Sequence, residues 1–254
     1  MFKRLLGVAA FIILLGACDH IIMSPAKAVL FIGNSFTYAN NLPGLLVQLA
    51  DSGGKKITTG MAAPGGYKLF QHASDPATKK VMEGRRWDVV VLQEQSQTPA
   101  IDNDKNTLMY PAVRELNDRI KKAGAVPMLY LTWGRKNGDI EFGYSDYNSM
   151  QEALTRGYMD IAKELSIEVS PVGVAWQTVH EKRPSLELWA GDGIHPNLAG
   201  SYLAACVFYA VIYGKSPEAL SFTAGLPADT AVFLQVTASE TVLTDPQKWL
   251  IAKR

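Results

Sequence analysis

The sequence predicts an α/β fold of three layers, with a parallel five-stranded sheet flanked by helices. Five short apolar runs recur along the chain, at residues 28–32, 57–62, 88–92, 126–132 and 167–172. Each is too short for a helix of usual length and rich in branched residues, a pattern that suits strands buried on both faces. Helical periodicity fills the gaps between them, at 43–52, 67–82, 108–123 and 149–165. Such alternation implies parallel strands joined by right-handed crossovers.

Ahead of the first strand, Lys3 and Arg4 precede an apolar run over 5–15. This is the layout of a secretory signal, and the run is too short to span a bilayer comfortably. The segment ends Leu15-Gly16-Ala17-Cys18, which resembles the lipobox of bacterial lipoproteins. The resemblance implies a signal peptide over 1–17, lipidation of Cys18 and a membrane-anchored place in the bacterial cell envelope. Residues 18–27 then form a tether, broken by Pro25.

Cleavage there takes Lys3 and Arg4 from the 25 basic side chains and nothing from the 24 acidic ones, so the mature chain is nearly neutral. Balanced charge argues against a nucleic-acid partner, which needs a basic face. Cys18 and Cys206 are the only cysteines. With Cys18 lipidated, the domain has no internal disulfide, and a chain of this length can stand on one apolar core.

Residues 28–254 read as one domain. After the fifth strand, 174–181 forms a short helix and 198–213 a long apolar one. Residues 217–254 form a helical extension, strongest over 229–244, packed on the same core or making a small cap.

In a parallel sheet the ligand site lies beyond the carboxyl ends of the strands. Ser35 follows the first strand, Gly65-Gly66 the second, and Gln93 ends the third; Asp192-Gly193-Ile194-His195 comes late, before the 198–213 helix. Taken singly, each has a plainer role. Ser35 or Asn34 can cap a helix, Gly65-Gly66 can make a turn, and His195 before Pro196 can be a surface loop residue.

Taken together and in that order, they resemble the blocks of the SGNH (GDSL-like) hydrolases, esterases of a flavodoxin-like three-layer fold. The resemblance spans residues 28–213. It implies that Ser35 is the nucleophile, that His195 is the general base, and that Asp192 orients His195. The backbone amides of Ser35 and Gly66 would then hold the oxyanion.

The residue types suit that chemistry. A serine hydroxyl attacks an ester only when a neighbouring imidazole takes its proton, and imidazole accepts protons near neutral pH. A carboxylate on the other ring nitrogen fixes the tautomer and stabilises the imidazolium.

The third block departs from the family pattern. In place of Gly-x-Asn-Asp the chain has Gln93-Glu94-Gln95-Ser96-Gln97. This is similar to the glutamine block of the sialate O-acetylesterase-like branch, which puts the amide donor at Gln93, with Gln97 and Gln95 as the alternatives. Asn34, Trp133 and Arg135 are candidate substrate contacts, the last two in an aromatic, glycine-rich stretch after the fourth strand. His72 reads as a helix-face residue.

His180-Glu181 lacks the second histidine of a zinc-protease helix. Ser35 lacks the Gly-x-Ser-x-Gly elbow, and Gly33-Asn34-Ser35 is not a dinucleotide fingerprint. Neither metal nor cofactor is expected.

The expected activity is hydrolysis of an O-acyl ester, chiefly O-acetyl on a carbohydrate. A lipid ester or thioester is the alternative within the same chemistry. A non-catalytic envelope lipoprotein that binds polysaccharide is the alternative of another class.

Overall fold

β1 (Lys27–Ile32) is buried from Ala28 onward and is an interior strand of the sheet. The computed structural model describes residues 27–252. The signal-like segment, Cys18 and the tether up to residue 26 lie outside them. After β1 come α1 (Ser35–Tyr38), α2 (Leu42–Ser52), β2 (Ile57–Ala62), α3 (Leu69–Ser74), α4 (Pro76–Glu83) and β3 (Val89–Leu92). Next are α5 (Asp102–Asp104), α6 (Tyr110–Lys122), β4 (Val126–Tyr130), α7 (Tyr147–Leu165) and β5 (Glu168–Ser170). The chain closes with α8 (Val172–Lys182), α9 (Leu198–Tyr213) and α10 (Ala228–Leu243).

All five strands are parallel, in the order β2-β1-β3-β4-β5. Ile32 at the end of β1 pairs with Ala62 of β2 on one side and Leu92 of β3 on the other. Every carboxyl end therefore points the same way, and β1 and β3 finish side by side.

Two expectations need correction. β2 is not buried on both faces: it is an edge strand, and after Ile57 its residues are partly or fully exposed. The single helix expected over 67–82 is two. Proline at 76 has no N–H to continue the first helix and drives Asp75 into an extended conformation. Asp75 has ψ 119° and caps α4, accepting from the amides of Ala77 and Thr78.

α9 explains its own composition. Every residue from Ala199 to Ile212 is buried, because the helix is sandwiched between the sheet, α2 and α10. A helix that is apolar on all sides needs such a place. Phe208 on α9 meets Phe31 of β1 and Tyr130 of β4 edge-on, at 5.3 and 4.9 Å. α10 packs on α8 and α9, so residues after 217 extend the main core.

Candidate active site

The chain leaves β1 through Gly33 and enters α1 at Ser35. Asn34 caps that helix: its side-chain oxygen accepts from the Phe36 amide at 3.1 Å. The capping role thus falls to Asn34, and the Ser35 hydroxyl is left for other work. Gly33 allows β1 and β3 to close up here, since a Cβ at this position would lie 2.4 Å from the Gln93 side-chain oxygen.

His195 arrives on a loop pinned from three sides. Trp133 Nε1 donates to the Ile194 carbonyl at 3.0 Å, the Lys136 amide to Gly193 O at 2.9 Å, and Asn40 Nδ2 to Pro196 O at 3.0 Å. Gly193 takes φ +67°, a left-handed conformation that favours glycine. Asp192 Oδ1 accepts from the amides of Ile194 and His195, both at 2.9 Å, and Oδ2 lies 2.5 Å from His195 Nδ1. These bonds, the one to His195 foremost, hold the Asp192 carboxyl at about 2, below the usual carboxylate range.

His195 Nε2 lies 2.9 Å from Ser35 Oγ. With the proton on Nδ1, facing the carboxylate, Nε2 is free to accept from the serine hydroxyl. Three side chains from two distant parts of the sequence thus form a serine–histidine–aspartate relay. Phe36 presents its ring to the His195 imidazole edge-on at 5.7 Å and stacks on Trp133 at 4.5 Å, and Trp133 stacks on Trp176 at 4.0 Å. The imidazole therefore rests against a rigid aromatic column.

Ser35 and His195 open into a cavity of about 380 Å³ whose walls include Tyr38, Gly66, Gln95 and Arg135. Among the described residues, the amides of Ser35 and Gly66 donate no hydrogen bond, which leaves both N–H groups available at the cavity. Among those residues no cluster of His, Cys, Asp and Glu suited to a metal ion occurs.

The solved structures that resemble this chain share its frame. A protein from Slackia heliotrinireducens assigned to the SGNH hydrolases is 29% identical, with a TM-score of 0.61, covering 72% of this chain and 97% of its own. A DUF4886 family protein from Bacteroides uniformis is 19% identical with a TM-score of 0.76, covering 87% and 96%. A variant of an acetyl-xylooligosaccharide esterase from Geobacillus stearothermophilus is 16% identical with a TM-score of 0.55, covering 73% and 94%. The fold is that of the SGNH hydrolases. No protein-family model and no curated protein matches the sequence.

Within the SGNH frame the three glutamines have different places. Gln93 is fully buried behind the loop that carries Ser35. Its Oε1 accepts from the Asn34 amide at 2.8 Å and the Thr37 hydroxyl at 2.9 Å, and its Nε2 donates to Asn34 Oδ1 at 2.9 Å and Glu94 O at 2.6 Å. Both amide hydrogens are engaged away from the cavity, so Gln93 braces Asn34 and has none left for an oxyanion. Gln97 donates to Asp139 at 2.7 Å and is not part of the cavity wall. Gln95, the last choice from sequence, lines the cavity beside Ser96. Its Oε1 accepts from the amides of Gln97 and Thr98, and its Nε2 donates to Ser96 Oγ and Gln97 Oε1, both at 3.2 Å, longer than the bonds that hold the Gln93 amide.

Trp133 is 1% exposed and thus no sugar platform; it belongs to the column beneath His195. Asn34 reaches the cavity floor, but both ends of its amide are tied, with Nδ2 on Tyr67 O at 2.9 Å. Arg135 does line the cavity, held by an ion pair to Asp139 at 2.9 Å.

His72 lies on α3, as expected, and its side chain is buried. Its Nε2 donates to the Gly33 carbonyl at 2.8 Å, and burial lowers its pKa.

Glu94 was not singled out from the sequence, although a carboxylate directly after a buried strand is a signal. It is fully buried and accepts from the Gln95 amide at 2.6 Å and the Leu69 amide at 3.2 Å. It thereby ties the third block to the segment that follows Gly66. Burial raises its carboxyl to about 7.

Proposed function

We propose that this protein is a serine esterase that cleaves O-acyl esters, chiefly O-acetyl groups on a carbohydrate, through an acyl-enzyme on Ser35. The observation that carries the reading is the unbroken relay from Ser35 Oγ through His195 to Asp192. In the reaction Ser35 Oγ attacks the ester carbonyl while His195 Nε2 takes its proton. The tetrahedral intermediate then expels the alcohol, which receives that proton from His195. Water, deprotonated by His195 in turn, releases the acid and restores Ser35.

The carbonyl oxygen, as it gains charge, is met by the amides of Ser35 and Gly66 and by the side chain of Gln95. Gln95 takes this role because, of the three glutamines, it is the one that lines the cavity, and its Nε2 exchanges the 3.2 Å bonds to Ser96 and Gln97 for the oxyanion.

Support for a small acyl group on a sugar comes from the modest cavity and from the likeness to an acetyl-xylooligosaccharide esterase. The lipobox-like Leu15-Gly16-Ala17-Cys18 favours lipidation at Cys18 and a place in the bacterial cell envelope.

Purified protein is to be tested on p-nitrophenyl acetate, a long-chain p-nitrophenyl ester and acetylated xylo-oligosaccharide. Release of acetate that disappears in both Ser35→Ala and His195→Ala is expected. Preference for the long chain would redirect the reading to lipid esters. Inactivity on all three, with glycan binding retained, would make the protein a binder. Mass spectrometry of the membrane-extracted chain checks for a lipidated N-terminal Cys18.

A further inference from the structure

A second cavity, of about 720 Å³, opens far from Ser35, and its wall is basic: Lys79, Arg85, Arg86, Arg119 and Lys122, with Glu83. All six side chains are on exposed residues. Lys79 and Arg119 have carboxylate partners in Glu83 and Glu115, but among the described residues Arg85, Arg86 and Lys122 have none. On a chain whose charges otherwise balance, unpaired cations gathered on one face call for an anion.

Topology fixes where that face lies. Arg85 and Arg86 come just before β3, and Lys122 closes α6 just before β4. Both approach the amino ends of parallel strands, the end opposite the Ser35 site. Asp88, two residues after Arg86, accepts from the Ala28 amide at 2.7 Å and donates to Ala28 O at 2.8 Å. Residue 28 is the second residue of β1, so the chain leading from Cys18 enters the domain beside the basic cavity. The six residues of β1 place the catalytic end roughly 20 Å away.

We propose that this basic face docks on the anionic lipid surface to which the N-terminal segment tethers the domain, so that the Ser35 cavity faces away from the membrane. The proposal rests on the anchor reading of Cys18. A tether from Cys18 to Lys27 reaches at most about 30 Å when extended, so the face nearest its attachment stays close to the headgroups. Several lysines and arginines on one face are attracted additively to an anionic leaflet, over a distance limited by salt. The attraction selects an orientation; the tether supplies the attachment. The substrate of such an enzyme is then a soluble or matrix glycan and not the bilayer that carries it.

The test uses the full chain mixed with phosphatidylcholine vesicles, with and without phosphatidylglycerol, read by flotation and by hydrogen–deuterium exchange. Exchange in peptides over 79–86 and 119–124 is expected to slow several-fold on the anionic vesicles alone. High salt and the double variant Arg86→Glu, Lys122→Glu are expected to abolish the effect, while peptides over 33–38 and 190–196 and ester hydrolysis stay unchanged. Equal exchange on both vesicles overturns the proposal, as does slowing at 33–38. Inorganic phosphate that slows the same peptides as strongly without vesicles would make the cavity a soluble-anion site instead. Failure to float with neutral vesicles counts against the anchor alone; salt-sensitive flotation with anionic vesicles would still support the docking face.

Discussion

Ser35 Oγ and His195 Nε2 lie 2.9 Å apart although 160 positions separate them in the chain. The contact exists because β1 delivers Ser35 to the carboxyl end of the sheet and three hydrogen bonds pin the His195 loop across it. Removing either partner leaves the frame intact, since neither side chain is in the core. Ser35→Ala and His195→Ala are each expected to lower kcat about 10⁴–10⁶-fold with unchanged thermal unfolding. Steady-state kinetics beside calorimetry checks this.

Asp192 is expected to act through His195. Asp192→Asn keeps the shape but lets the imidazole adopt the wrong tautomer, and kcat should fall by up to about 10⁴. Because the carboxyl titrates at about 2, it stays ionised throughout the neutral range. A depressed carboxyl contributes stability above its unfolded value, lost as pH falls through about 2. The pH–rate profile should therefore show no Asp192 limb above about pH 4; a carboxylate limb near pH 4 in wild type that vanishes in Asp192→Asn would refute the assignment.

The glutamines separate function from support. Gln95→Ala should cost about 10²–10³ in kcat, the usual loss of one oxyanion donor, and some stability as well, since the Gln97 and Thr98 amides lose their acceptor. Gln93→Ala should chiefly destabilise the fold, because the buried Asn34 amide loses its acceptor, at about 1–3 kcal/mol for each donor left unpaired. Steady-state kinetics beside urea unfolding decides between the two roles: at matched stability loss, kcat is expected to fall further in Gln95→Ala than in Gln93→Ala.

Glu94 makes stability depend on pH in the opposite sense to Asp192. Its folded-state carboxyl is raised to about 7, so between its ordinary value of 4.5 and 7 the folded chain holds a proton that the unfolded chain releases. Stability is therefore expected to decline across that window as pH rises, by on the order of 3 kcal/mol, and to be level above it. Glu94→Gln should flatten the decline. If the unfolding midpoints of wild type and variant run parallel from pH 4.5 to 8, burial of Glu94 does not matter in this way.

Trp133→Phe keeps a ring in the aromatic column but deletes the Nε1 donor to Ile194 O. Because that bond pins the loop carrying Asp192 and His195, kcat should fall about tenfold with KM unchanged, alongside a stability loss near 1 kcal/mol. A drop confined to stability would make Trp133 a core residue only.

The layered fold was readable in the sequence because it depends on local pattern. Branched runs of five to seven residues separated by helical periods leave a parallel sheet as the way to bury both, and β1, β3 and α9 lie where that pattern puts them. That Ser35, Asp192 and His195 belong together was readable too, since Gly33-Asn34-Ser35 and Asp192-x-x-His195 are contiguous blocks, and the structure brings the three side chains into contact. Where local pattern misled, a single neighbour was decisive: proline at 76 split a helix, and a place at the sheet edge exposed β2.

Which glutamine faces the cavity was beyond the sequence, because it depends on the direction of each side chain once the strand has ended. Gln93, Gln95 and Gln97 are chemically the same, yet one is locked under Asn34, one lines the cavity and one binds Asp139. Equally, no pattern in the chain placed Trp133 under Ile194, Glu94 between two amides, or a basic cavity beside the start of β1. Composition and periodicity determine which segments must be buried; only packing across the sheet decides which polar atoms meet, because those partners are tens to hundreds of residues apart and a hydrogen bond requires their placement to within a fraction of an ångström.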